Sequence, residues 1–172
     1  MMETFDAITS RRNIREYEDR PIPTESLQQI LEAGRRTPSS SNQQRWDFVV
    51  VQDRDRLDRL SQVWKGAGHI ARAAAAIGIV APVTDDFATS RSIHYDWGQA
   101  TMSLMLAAAD LGIGTAHASV SDQALAREIL GLPEERELAW MMGLGFPADR
   151  PLRPIKNPTR RPLAEVVHYE GW

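Results

Sequence analysis

Apolar positions along the chain switch between helical and strand-like spacing, and the switches predict its elements. Phe5, Ala7 and Ile8 suggest a short first helix that stops at the basic run Arg11 to Arg15. Pro21 and Pro23 then force an extended connection. Thr24 is the expected N-cap of a second helix, in which Leu27, Ile30, Leu31 and Gly34 form one buried stripe and Pro38 marks the end. Trp46 to Val51, aromatic and β-branched, reads as a strand, and Asp53 is placed to cap a helix carrying Leu57, Leu60 and Trp64. Ala76 to Ala81 is short, apolar and closed by Pro82, which predicts a buried strand. From Ser92 to Leu111, residues Ile93, Trp97, Ala100, Leu104 and Ala108 keep helical spacing, giving a long central helix ended by Gly112 and Gly114. Ile113 to Ala118 reads as a strand, Ser121 or Asp122 as the cap of a helix through Leu125 and Ile129, and Leu138 to Phe146 as a last strand. Beyond Pro147, prolines at 151, 154, 158 and 162 predict an extended surface tail.

The 172 residues suit one domain, with 147–172 as its tail. Hydrophobic residues at 42% and charged residues at 25% place the chain among globular proteins. A net charge of −3 supplies no bulk field for nucleic acid. The apolar run from Ala73 to Pro82 falls well short of the ~20 residues of a membrane span, and the N-terminal segment lacks the basic flank and apolar core of a secretory signal. Those features predict a cytoplasmic protein without membrane contact. The absence of cysteine removes disulfides, thiolate metal sites and thiol nucleophiles, and four scattered histidines predict no metal cage.

Three polar clusters stand at the edges of regular elements: Arg11 to Arg15, Pro38 to Gln44, and Lys156 to Arg161. The first suits either a solvated helix end, where cations meet the C-terminal dipole, or a phosphate site, where planar guanidinium forks match phosphate oxygens. The Ser39 to Gln44 run by itself reads as a polar loop, and its alternative is a hydrogen-bonding wall for a polyhydroxylated chain and a heteroaromatic edge.

Taken together, Ser10 to Tyr17, Arg36 to Phe48, Asp96 to Ala100, Leu111 to Thr115 and Lys156 to His168 resemble the FMN-dependent nitroreductase family in the same order along nearly the whole chain. The resemblance implies an α/β (α+β) fold, with a mixed, mainly antiparallel sheet flanked by helices. It also implies an intertwined homodimer whose C-terminal tail crosses to the partner as an edge strand. By motif position, Arg11 and Asn13 contact the FMN phosphate with Arg160 joining them, Arg12 belongs to the same cofactor-binding cluster, and Arg15 lies near the ribityl chain and the pyrimidine edge. Ser39, Ser40 and Asn42 reach the flavin of the other subunit, Pro38 packs beside the ring, and Gln44 is a further cofactor-binding candidate on the same loop. Ser119 and Val120 belong to the turn whose backbone N–H groups face flavin N5 and O4. No side chain is assigned as a catalytic nucleophile or metal ligand, because the flavin carries the chemistry.

The activity so implied is transfer of hydride from NADH or NADPH, through FMN, to nitroaromatics, quinones or a similar small acceptor by a ping-pong cycle. Flavin-dependent reductive dehalogenation, flavin fragmentation and a non-enzymatic flavin- or anion-binding role stand as alternatives. Two departures from the family pattern are Asn13, where Ser is commoner, and Arg45, where Pro is commoner. A third is the short stretch between Ala81 and Ser92, where many members insert helices over the active site. His69 is expected at the surface or a helix end, and Trp64, Trp97 and Trp140 in the core or dimer interface. His117 falls near the flavin-facing turn, and His168 is expected along the tail strand.

Overall fold

The computed structural model describes residues 2–172. Four strands, β1 (Asp47–Val51), β2 (Ala75–Pro82), β3 (Gly114–Ala118) and β4 (Arg136–Gly145), form one sheet in the order β1-β2-β4-β3. All three strand pairs are antiparallel, and the one parallel feature is an isolated bridge between Asn13 and Thr115. Five helices complete the fold: α1 (Thr4–Ser10), α2 (Thr24–Arg35), α3 (Arg54–Leu60), α4 (Phe87–Asp110) and α5 (Gln123–Leu130).

Period-two alternation divides the core. Along β2, Ala75, Ile77, Ile79 and Ala81 pack with Leu27 and Ile30 of α2 and with Leu104 and Ala108 of α4. Ala76 and Val80 point to the opposite face, where Leu57 and Leu60 of α3 and Ala126 and Ile129 of α5 cover them. A sheet buried on both faces reads as a continuous apolar run, as Ala75 to Ala81 does.

The caps are in part those the sequence predicts. Asp53 accepts from Arg56 N and Asp122 from Leu125 N, each at 2.9 Å, which leaves Ser121 outside the cap. Thr24 is instead the first helical residue of α2, behind Pro23 at the N-cap, and Trp64 lies beyond the end of α3. The largest difference is α4, which starts at Phe87, ahead of Ser92. Asp86 accepts from Thr89 N at 2.7 Å and so begins the helix in the segment expected to be a loop. Only residues 83–86 separate it from β2.

The tail is extended, with one short turn at Leu163–Glu165 and no strand of its own. His168 accordingly follows no strand and stacks on Trp172, ring centroids 4.4 Å apart. Hydrogen bonds tie the tail to the N-terminal segment: Ala148 N donates to Glu16 O at 3.1 Å, Ile155 N to Thr9 O at 3.2 Å, and Arg12 Nη2 to Arg153 O at 2.6 Å.

Candidate functional site

The free edge of β3 positions the first basic cluster. Ile14 N donates to Thr115 O at 2.9 Å, drawing residues 13–17 alongside the sheet. The fit depends on two cross-strand partners, Gly114 and Gly145. A Cβ on Gly114 would stand 2.6 Å from Ile14 Cβ, and one on Gly145 would stand 2.7 Å from the Tyr17 ring. This bare window lets Ile14 bury completely, while Tyr17 closes the segment by donating its hydroxyl to Ile14 O at 2.7 Å. With Ile14 facing inward, alternation sends Asn13 and Arg15 the other way.

That outward side borders a cleft of about 440 Å³. Arg11 stands at one part of its rim and His117 of β3 and Trp140 of β4 form a wall, ring centroids 5.9 Å apart and edge to face. The facing wall is α4, through Gly98, Thr101, Met102 and Met105. Those four sit at i, i+3, i+4 and i+7, so they share one helix face. Sequence reading missed this stripe because only its methionines are apolar, although the spacing was available. Trp140, expected in the core or a dimer interface, packs against the core with one side and stands partly exposed in the cleft wall with the other.

Charge in the cleft is one-sided. Arg11 Nη1 donates to Asn13 Oδ1 at 3.3 Å and approaches Met105 Sδ at 3.5 Å. Its pKa is held below the ordinary guanidinium value, first by burial and then by the like charge of Arg160. Arg160, from the far end of the chain, thus acts on Arg11 through its charge, while its own guanidinium donates to Thr159 O at 3.0 Å. Among the described residues neither Arg11, Arg15 nor Arg160 pairs with a carboxylate. His117 is likewise held below the ordinary imidazole value by burial, then by Arg11 and Arg15. Arg12 turns elsewhere, donating to Ser10 O as well as Arg153 O.

The Pro38 to Gln44 loop is a separate construction. Ser40 N donates to both carboxylate oxygens of Asp96 at 3.1 Å, and Ser40 Oγ to Oδ1 at 3.3 Å. Asp96, 2% exposed, thereby ties the loop to α4. Ser39 Oγ accepts from Gln44 N at 2.9 Å, and Gln44 Nε2 donates to Asn42 O at 3.2 Å. Ser41, Asn42 and Gln44 hold φ of 52°, 54° and 48°, a left-handed conformation that costs energy for residues with a side chain. The hydroxyls expected to face a ligand thus shape the loop, leaving Asn42 and Pro38 exposed at its surface. Ser119 and Val120 follow β3 in half-buried positions.

His69 differs from the surface placement expected of it. It is buried, and its Nε2 donates to Ala116 O at 3.0 Å because a carbonyl can only accept. Its Nδ1 is buried without a hydrogen-bond partner among the described residues. Burial is the largest cause lowering its pKa, Arg15 adds to it, and the bond to Ala116 opposes it. A folded pKa below the unfolded one means that the unfolded chain binds protons first. Stability contributed in this way is present above about pH 6.5 and is lost as pH falls. His69→Gln keeps an amide donor but removes the titration, so it is expected to flatten the fall of Tm between pH 7 and 5. Melting followed by circular dichroism checks this, and an unchanged slope assigns the acid-side loss to other groups.

An antiparallel sheet covered on both faces by helices, with arginines along its edge and an apolar cleft beside them, defines an α+β fold. The model of the nitroreductase family matches residues 8–84 and 88–146, and the chain belongs to that family. A protein of Archaeoglobus fulgidus, provisionally named NADH dehydrogenase/NAD(P)H nitroreductase, is 33% identical over the full length of both chains. The FMN reductase (NAD(P)H) of Bacillus subtilis is 30% identical over all of this chain and 75% of its own. The solved FMN-dependent nitroreductase of Clostridium difficile superposes with a TM-score of 0.85 at 25% identity, covering 98% of this chain and 99% of its own. Family membership favours an enzyme over an interaction protein. No helix among the described residues is long and apolar enough to cross a membrane.

Proposed function

We propose that this chain is an FMN-dependent NAD(P)H oxidoreductase that works as a homodimer and reduces nitroaromatics, quinones or similar small acceptors, with donor and acceptor using one site in turn. The observation that carries the reading is Arg11 at the rim of an apolar cleft, without a paired carboxylate and within reach of the like charge of Arg160 from the opposite end of the chain. Two like charges brought together cost energy, and a phosphate dianion between them turns that cost into attraction. The residues present therefore fit a phosphorylated flavin.

Arg11, Asn13 and Arg160 would hold the phosphate. Arg15, beside His117, adds positive charge that favours an electron-rich flavin over an oxidised one. Ser119 and Val120 offer backbone N–H groups at the end of β3. Arg12 serves the same site at one remove by holding the tail that carries Arg160. The loop of Pro38, Ser39, Ser40, Asn42 and Gln44 faces outward, as a loop that completes the partner's site would. Bound FMN supplies the hydride acceptor and donor, so the chain itself needs no nucleophile.

The test begins with purified protein reconstituted with FMN. NADH or NADPH alone, without oxygen, should bleach the flavin absorbance, and an added quinone or nitroaromatic should restore it. Steady-state double-reciprocal lines should run parallel as acceptor concentration is varied. Failure to retain FMN, or intersecting lines, would sink the proposal.

A further inference from the structure

A second cleft lies outside the ladder, where the anchored loop meets the first turns of α4. It also measures about 440 Å³, and Ser40, Phe87, Arg91 and Tyr95 line it together with Ala88 and Ser92. Phe87, Arg91 and Tyr95 are spaced i, i+4 and i+8, and therefore stand on one face of the helix. Both rings are solvent-exposed, Phe87 at 73% and Tyr95 at 71%. The Arg91 guanidinium carbon stands 5.6 Å from the Phe87 ring centroid, at the outer range of a cation–π contact. Among the described residues no carboxylate pairs with Arg91. The nearby Asp86 carboxylate is turned into the helix cap, and Asp96 is committed to Ser40.

The cleft falls mostly within the family match, which breaks between residues 84 and 88, where Asp86 starts α4 and Phe87 enters the wall. It also shares Ser40 with the loop proposed to reach the partner's flavin.

We infer that Phe87, Arg91 and Tyr95 form a specificity cleft for a planar aromatic group bearing negative charge. This rests on the function proposed above. The rings offer faces for stacking, and the guanidinium offers a fork of donors matched to a carboxylate or phosphate. The only charge in the lining is positive, which selects an anionic ligand over a cationic one. Two ligands carry this chemistry: an aromatic acceptor with a carboxylate, and the adenine end of NADPH with its 2′-phosphate.

Equilibrium binding to the oxidised protein, followed by quenching of intrinsic fluorescence, separates them. The probes are two pairs, 4-nitrobenzoate with nitrobenzene and NADPH with NADH. In the acceptor case, Arg91→Gln raises the Kd ratio of 4-nitrobenzoate to nitrobenzene about tenfold. In the nucleotide case, the same substitution raises the ratio of NADPH to NADH by a similar factor. Arg91→Lys should recover part of either change, because it keeps the charge and loses the fork. Tyr95→Ala should weaken both members of the affected pair alike, by roughly fivefold or more, whereas Tyr95→Phe should not. Unchanged ratios for both pairs in Arg91→Gln overturn the cleft. Flavin absorbance of the same samples reports separately on the function: an Arg91-dependent ratio without bound FMN overturns the function and keeps the cleft.

Discussion

Arg11→Ala weakens FMN binding by about tenfold or more and leaves riboflavin binding nearly unchanged. A charged hydrogen bond to a dianion is worth about 1.5–3 kcal/mol, and about 1.4 kcal/mol is a factor of ten in affinity. The phosphate is the part that FMN has and riboflavin lacks, so the comparison isolates what Arg11 does there. The side chain's present partners, a 3.3 Å bond to Asn13 Oδ1 and a sulfur contact with Met105, are too weak to make it a structural pillar. Removing it also relieves repulsion on Arg160, so the protein without flavin should melt no earlier than wild type. Titration calorimetry with both ligands decides the matter. Equal losses for FMN and riboflavin would mean that Arg11 shapes the cleft and does not hold phosphate.

Truncation after Ala148 should abolish both the dimer and FMN retention. The removed segment carries Arg160 and an exposed apolar series: Leu163, Val166, Val167, Tyr169 and Trp172. Fully burying a large apolar side chain contributes roughly 1.5–3 kcal/mol, so a tail laid on a partner subunit holds the pair together by several kcal/mol. Within its own chain the tail gains little, because few of its bonds reach the body of the protein. In the proposed dimer, loss of Arg160 and of the partner's loop would act on the same cofactor. Light scattering and the flavin spectrum of the truncated protein test both effects. A stable monomer that still binds FMN would refute the exchanged tail.

Much of the fold was legible because burial imposes clean periods. The double-sided core of β2 left the run from Ala75 to Ala81, and α2 left a stripe at Leu27, Ile30 and Gly34. The start of α4 was not legible in the same way. Phe87 and Tyr95 are exposed, so they contribute no buried stripe, and the helix begins on a single cap at Asp86. In the site, the outward ladder of Arg11, Asn13 and Arg15 is the reverse side of the buried Ile14, a local alternation that the sequence displays. Which distant arginine would join the ladder is a tertiary matter, and only family motifs pointed to Arg160. His69 shows the opposite failure. Its burial comes from packing against β3 at Ala116 and β4 at Gly143, contacts that leave no trace in neighbouring residues.

The bare window at Gly114 and Gly145 also orders events during synthesis. Residues 11–17 leave the ribosome early, but the surface on which Ile14 and Tyr17 rest exists only after β3 and β4 have paired, more than a hundred residues later. Until then the ladder has nothing to lie against, and Arg160 emerges later still. Because such distant contacts form only after costly loop closure, the cofactor site matures at the end of folding, behind the sheet that supports it. A chain released before residue 145 would carry its arginines unplaced, and flavin uptake by nascent chains would mark completion of the whole domain.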